Sequence, residues 1–175
     1  MRTKLGAAAA VACVVMLSGC GGDNGGDDAP AGSPPTRVVS EQGPFFGECG
    51  SVTDDEVKDA FKMPGFGTVT RNSVGCVWEV SGSTGPSVSF SWYRGSPIGR
   101  EAAGSDRLAR PPMPVEIRGH KGFIGQVPGL LCELGLQYGD DFFHWSVTFG
   151  LFPPTTDECG VARQLAELTA SRVQE

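Results

Sequence analysis

Leu130-Leu131-Cys132-Glu133-Leu134-Gly135-Leu136-Gln137-Tyr138 and Phe143-His144-Trp145-Ser146-Val147-Thr148-Phe149 are two apolar runs on either side of a turn at Gly139-Asp140-Asp141. Alternation sends Cys132, Leu134, Leu136 and Tyr138 to one side of the first run. It sends Phe143, Trp145, Val147 and then Phe149 to one side of the second, with His144, Ser146 and Thr148 opposite. A period of two is the period of a strand. The turn residues Gly139-Asp140-Asp141 join the runs, so the segment predicts a β-hairpin with one strongly apolar face. Such a face must be covered by something else in the chain.

Working outward, Ser87–Tyr93 repeats the pattern, with Val88, Phe90 and Trp92 inward and Ser89, Ser91 and Tyr93 outward. Gly75–Val80 places Cys76, Trp78 and Val80 together, and the turn Ser81–Pro86 makes a second hairpin. Val115 and Ile117 start another strand, and Phe123-Ile124 follow the turn Gly119-His120-Lys121-Gly122. Thr53-Asp54-Asp55-Glu56 is a capping-box pattern ahead of Val57, Ala60 and Phe61, which predicts a helix over 54–62. Ser96-Pro97 predicts a helix over 97–109, weakened by Gly99 and Gly104, then an extended Arg110–Pro114 connector. Val161, Leu165 and Leu168 form the stripe of a last helix starting near Asp157. Strands in hairpin-linked runs with three helices argue for an α+β domain, an antiparallel sheet covered by helices, over 43–175.

The first residues carry a different message. Met1-Arg2-Thr3-Lys4 is a short basic start, and Leu5–Leu17 is apolar but too short to span a bilayer. Leu17-Ser18-Gly19-Cys20 then has the form of a lipobox, so residues 1–19 read as a signal removed before Cys20, whose sulfur takes the lipid. Two or more acyl chains anchor stably where one does not. Residues 21–42 are rich in Gly, Asp, Pro and Ser and nearly free of apolar side chains, which reads as a linker. About 22 such residues reach roughly 25 Å root-mean-square.

Of six cysteines, Cys13 leaves with the signal and Cys20 is lipidated. Cys49, Cys76, Cys132 and Cys159 remain, an even number in an exported chain, which argues for two disulfides. Three pairings are open. The intervals 49–76 and 132–159 are equal, and both outer cysteines sit in Glu-Cys-Gly near a helix start while both inner ones sit in strands, which favours Cys49–Cys76 and Cys132–Cys159. A four-cysteine zinc site lacks its paired C-x₂-C knuckles.

Composition and motifs narrow the function classes. With 14 basic and 20 acidic side chains the net charge is −6, and loss of Arg2 and Lys4 with the signal makes it −8. That leaves no electrostatic footprint for nucleic acid. No nucleophile elbow, zincin helix, phosphate loop or dinucleotide fingerprint is present, and no cofactor is expected. His120 falls in a Gly-flanked turn and His144 on an outward strand face, both read as solvated or structural. Asp140-Asp141 reads as turn chemistry. Trp92-Tyr93-Arg94-Gly95-Ser96-Pro97-Ile98-Gly99-Arg100 sets Arg94 and Arg100 around a helix N-terminus, a candidate contact for an anion or a partner with Trp92 and Tyr93. The competing reading is a strand-to-helix junction capped by Ser96, with the arginines paired to carboxylates. Phe45-Phe46, just after the linker, reads as an exposed docking patch or, the stronger reading, as packing under the first helix.

The stretch Phe90–Glu101 resembles the mycobacterial LprB-type lipoproteins, an actinobacterial lipoprotein family. Gly43-Pro44-Phe45-Phe46, Cys49-Gly50, Asn72–Cys76 with Trp78, Gly119-His120, Gly122-Phe123-Ile124, Leu131-Cys132-Glu133, Asp140-Asp141-Phe142 and Trp145-Ser146-Val147 fit as well. His144 departs from the pattern. The resemblance implies a signal peptide, a lipid on Cys20, a cell-membrane location and four paired cysteines. It implies no known activity. The resulting expectation is a non-enzymatic, lipid-anchored module that binds or assembles with an envelope protein or lipid. A carrier holding an apolar ligand between sheet and helices is the alternative, and an envelope enzyme is a more distant one.

Overall fold

The computed structural model describes residues 42–80 and 84–173. Cys20, the signal, the linker up to residue 41 and part of the Ser81–Pro86 turn lie outside the described residues. The anticipated 130–149 hairpin is present as β6 (Leu131–Tyr138) and β7 (Asp141–Thr148), with Leu134 opposite Trp145 and Leu136 opposite Phe143.

Two hairpin-linked runs build the sheet. The first comprises β1 (Thr68–Asn72), β2 (Gly75–Glu79) and β3 (Ser87–Tyr93). The second comprises β4 (Met113–Ile117), β5 (His120–Val127), β6 and β7. Their last strands pair, Phe90 opposite Trp145 and Trp92 opposite Phe143, giving one antiparallel sheet of order β1-β2-β3-β7-β6-β5-β4. The α+β class is as expected. Strand β1 is an addition, because Thr68-Val69-Thr70-Arg71-Asn72 is mostly exposed and has no apolar alternation to announce it. Strands β4 and β5 begin earlier than anticipated. Pro114 sits within β4, where an edge strand tolerates a missing N–H. His120 and Lys121 belong to β5 rather than to a turn.

Three helices cover the sheet: α1 (Asp54–Phe61), α2 (Ile98–Arg107) and α3 (Glu158–Arg172). The face carrying Trp78, Phe90, Leu134, Leu136, Phe143 and Trp145 is buried, in one core with Val57, Phe61, Val161 and Leu165 from α1 and α3. Its indoles are satisfied: Trp145 Nε1 donates to Thr169 Oγ1 at 3.1 Å and Trp78 Nε1 to Asp54 Oδ1 at 2.7 Å. Phe46 belongs to this core, packed edge-on against Tyr138 and Phe143, while its neighbour Phe45 is exposed. Phe46 is thus buried, but against the sheet residues Trp92, Tyr138 and Phe143, and Phe45 is not buried at all.

The disulfides join Cys49 to Cys76 and Cys132 to Cys159, with Cα separations of 5.3 and 5.1 Å. One ties the 3₁₀ turn Glu48–Ser51 to β2, and the other ties the first turn of α3 to β6. The 3₁₀ turn depends on Gly50, at φ 70°, because a Cβ there would lie 2.8 Å from the Phe90 ring and from Thr169 Oγ1. On the loop-entropy model each crosslink stabilises by roughly 3–4 kcal/mol.

Capping fixes how α1 meets α3. Thr53 Oγ1 accepts from Glu56 N–H, and Glu56 Oε2 accepts from Thr53 N–H at 3.0 Å, so the capping box is complete. Arg172, at the end of α3, donates to both Glu56 oxygens at 2.5 and 2.8 Å and to Ser51 O at 2.6 Å. The Arg172 guanidinium and the Thr53 bonds hold the Glu56 carboxyl down from 4.5 to about 2. Unfolding releases that carboxylate to its ordinary value, so its contribution is complete above that value and is lost as pH falls through about 2. Denaturant titrations from neutral pH into acid are expected to show Glu56→Gln losing less stability on acidification than the parent. Identical acid dependence in the two proteins would refute this role.

Candidate functional site: an aromatic and cationic end of the sheet

The strand pleat decides how the sequence-selected segment is displayed. Trp92 and Tyr93 are consecutive in β3 and therefore point to opposite faces. Tyr93 stacks on Phe142 at 4.4 Å between ring centroids on the face carrying α2, and burial pushes its phenol up, with the Glu101 charge adding to the effect. Trp92 stays on the core side but lies at its margin, half-buried. Phe46 meets it edge-on at 5.6 Å, Phe45 lies against it at 5.4 Å, and the Arg94 guanidinium sits 4.3 Å from its ring centroid. The four selected residues thus separate: Trp92 and Arg94 come together, whereas Tyr93 and Arg100 do not join them.

The helix N-terminus is already occupied. Helix α2 starts at Ile98 after an N-cap at Pro97 that makes no side-chain bond. Ile98 N–H donates to Gln137 Oε1 at 3.1 Å, and Gly95 N–H to Asp141 Oδ1 at 2.8 Å. Arg100 donates to Ser96 Oγ at 2.6 Å, so Ser96 positions an arginine instead of capping the helix. Asp141, read as turn chemistry, is buried and makes this bond across the structure.

Around Trp92 the surface is apolar and open. Phe45 is 68% exposed and Val74 58% exposed. With Arg71, Asn72, Phe90 and Trp92 they border a groove of about 430 Å³. The Cys49–Cys76 disulfide lies beside it and holds the segment that follows Phe45 against β2. Trp92 N–H donates to Val74 O at 2.7 Å, and Val74 N–H to Asn72 Oδ1 at 2.9 Å, so the turn carrying Val74 is fixed to the tryptophan strand. The buried Trp92 indole N–H has no partner among the described residues. Arg71 is bound to Asp54 at 2.5 Å and lies 3.6 Å from Glu48. Arg94 makes no ion pair among the described residues.

A second polar constellation lies under α2. Sequence placed His144 on an outward face, but α2 covers that face and buries it. His144 Nε2 lies 3.2 Å from Glu133 Oε2, and Arg110 Nε donates to Glu133 Oε1 at 2.8 Å. Ser105 Oγ donates to Arg110 O at 2.8 Å. Burial raises the Glu133 carboxyl, but the His144 and Ser105 bonds and the His144 and Arg110 charges outweigh it and hold it below its ordinary value. Gly125 leaves the necessary room, since a Cβ there would lie 2.2 Å from Ser105 Oγ and 3.0 Å from Glu133 Oε1. Glu101, Glu133 and His144 bring three potential metal-ligand atoms within 4.8 Å, yet both Glu133 oxygens are already engaged. His120 is elsewhere, stacked on Tyr138 at 3.6 Å between centroids. Arg110→Ala removes the ion-pair partner of a buried carboxylate that His144 and Ser105 also contact, and is expected to lower stability by about 2–3 kcal/mol. Glu133→Gln, which keeps a hydrogen-bonding amide, is expected to lose less; urea midpoints unchanged in Arg110→Ala would contradict the assignment.

No solved structure matches. Residues 15–172 match the family described as Protein of unknown function (DUF3558). The chain is 42% identical over 176 residues to lipoprotein LprB of Mycobacterium bovis, covering 94% of this chain and 92% of the relative. It is 41% identical over 162 residues to lipoprotein LprB of Mycobacterium leprae, covering 87% and 84%. The chain therefore belongs to the DUF3558 family, alongside the mycobacterial LprB lipoproteins.

Proposed function

We propose that the protein is a non-catalytic binding module, lipid-anchored through Cys20 to the outer face of the cell membrane, and that its contact surface is the end of the sheet bearing Phe45, Val74, Trp92 and Arg94. The observation that carries this reading is the contrast between a filled interior and an open aromatic margin. The space between sheet and helices is taken up by Trp78, Trp145, Phe61, Phe143, Phe149 and Leu165, all buried to within 1%. A carrier would need a cavity there, and that volume is occupied by side chains. The apolar surface instead continues outward, as exposed patches at contact sites do. The buried Glu133–His144 pair favours a structural role over a catalytic one, because Arg110 and His144 already take both carboxylate oxygens.

Two measurements test the two halves of the proposal. Cys20→Ala is expected to escape lipidation and leave the membrane fraction; normal processing and fractionation would overturn the anchor. A photo-crosslinking residue at position 74 in intact cells is expected to give adducts identifiable by mass spectrometry, protein or lipid. Absence of adducts at 74, with labelling no stronger than at solvent-facing Glu116, would overturn the contact surface.

A further inference from the structure

We infer that the occupant of the Phe45–Val74–Trp92–Arg94 surface is the bilayer itself, with the aromatic side chains at the boundary of headgroups and acyl chains. This rests on the reading above that Cys20 carries lipid and that this end of the sheet is the contact surface. Three independent features select the bilayer over a protein.

The first is where the chain leaves the fold. The described chain begins at Gln42, three residues before Phe45. In the sequence 21 residues lie between Cys20 and Gln42. The segment leading back to Cys20 therefore joins the described fold beside the exposed aromatic residues.

The second is chemistry. Aromatic rings with one polar atom favour the membrane–water interface, where the ring sits in apolar surroundings and the polar atom meets headgroups. Trp92 offers a half-buried ring at the edge of the core; its indole N–H is itself buried, so the polar contact falls to the neighbouring Arg94. Arg94 lies over that ring at 4.3 Å and makes no ion pair among the described residues, so its guanidinium is available to a lipid phosphate. Phe45 and Val74 supply exposed apolar surface beside it.

The third is charge. Without residues 1–19 the chain carries 12 basic and 20 acidic side chains, a net −8, which opposes general attraction to anionic lipid, so any attraction has to be local to this end. At this end the nearby carboxylates of Glu48 and Asp54 are engaged with Arg71. The patch is small and would bind free vesicles weakly. A tether changes the requirement, because an anchored domain meets the membrane at an effective concentration in the millimolar range. Seated this way, the other end of β7, followed by exposed Leu151 and Phe152, points away from the bilayer.

The three tryptophans make the test direct. Trp78 and Trp145 are 0% exposed, so a membrane-borne quencher reaches Trp92 alone. The mature lipidated protein is reconstituted into phosphatidylcholine–phosphatidylglycerol vesicles with and without brominated acyl chains, and its emission is compared. Quenching is expected, with its loss in Trp92→Phe and its weakening in Phe45→Ser and in Val74→Ser. Equal emission in the two lipids, or quenching that persists in Trp92→Phe, overturns the inference. If the protein does not float with the vesicles, the anchored reading fails as well. If it floats unquenched while position 74 crosslinks a protein in cells, the binding module stands and only the bilayer seat falls.

Discussion

Trp145 is the residue through which the elements of this fold hold one another. It lies at the centre of β7, fully buried, opposite Phe90 in β3 and Leu134 in β6. Its indole donates to Thr169 of α3, and its ring stacks on Trp78 at 5.7 Å, which in turn donates to Asp54 of α1. Both strand runs and two helices therefore converge on one side chain. An indole buried this deeply is stable only if its N–H is paired, since an unmet buried donor costs about 1–3 kcal/mol. That requirement sets the height of α3 over the sheet and explains a buried Thr169 in an otherwise apolar helix face.

The two disulfides then act at the periphery of the arrangement centred on Trp145. Each fastens the start of a covering segment, the 3₁₀ turn before α1 or the first turn of α3, to a strand beneath it. Neither lies beneath α2. That helix is instead held from below by polar bonds, with Gln137 and Asp141 meeting the backbone ahead of it and the Glu133–Arg110–His144 group packed near its end. The apolar face thus supplies most of the burial, and the opposite face supplies directed polar contacts that fix where α2 lies.

Much of this was readable in the chain. Alternation located β2, β3, β6 and β7, and the Thr53–Glu56 pattern marked the start of α1 to the residue. What escaped was governed by neighbours distant in sequence. Strand β1 exists because β2 offers it an edge, and its own residues carry no pattern. His144 looked solvent-facing because period two identifies the second face of a strand without saying whether a helix will cover it. The pairing with Glu133 was nonetheless implicit. A turn at Gly139-Asp140 sets Tyr138 opposite Asp141, which places Glu133 and His144 on one face as diagonal neighbours. Arg94 and Arg100 looked like companions through their nearness in sequence, yet the geometry gives one to Trp92 and the other to Ser96.

The proposed contact surface follows from the same pleat that builds the core. Val88, Phe90 and Trp92 form one stripe of β3, and burial falls along it, from 0% exposure at Val88 through 2% at Phe90 to a half-buried Trp92. The exposed aromatic end is therefore a continuation of the interior, backed by Phe46, Phe143 and Tyr138, rather than a side chain carried on a loose loop. A ring already held by its neighbours loses little rotamer freedom on contact, so a modest apolar area yields more net affinity than the same area on flexible residues. Tethering acts on the other cost of association, the loss of translational freedom. Rigidity at Trp92 and the proposed attachment through Cys20 would thus reduce separate penalties, which is how so small a surface could suffice.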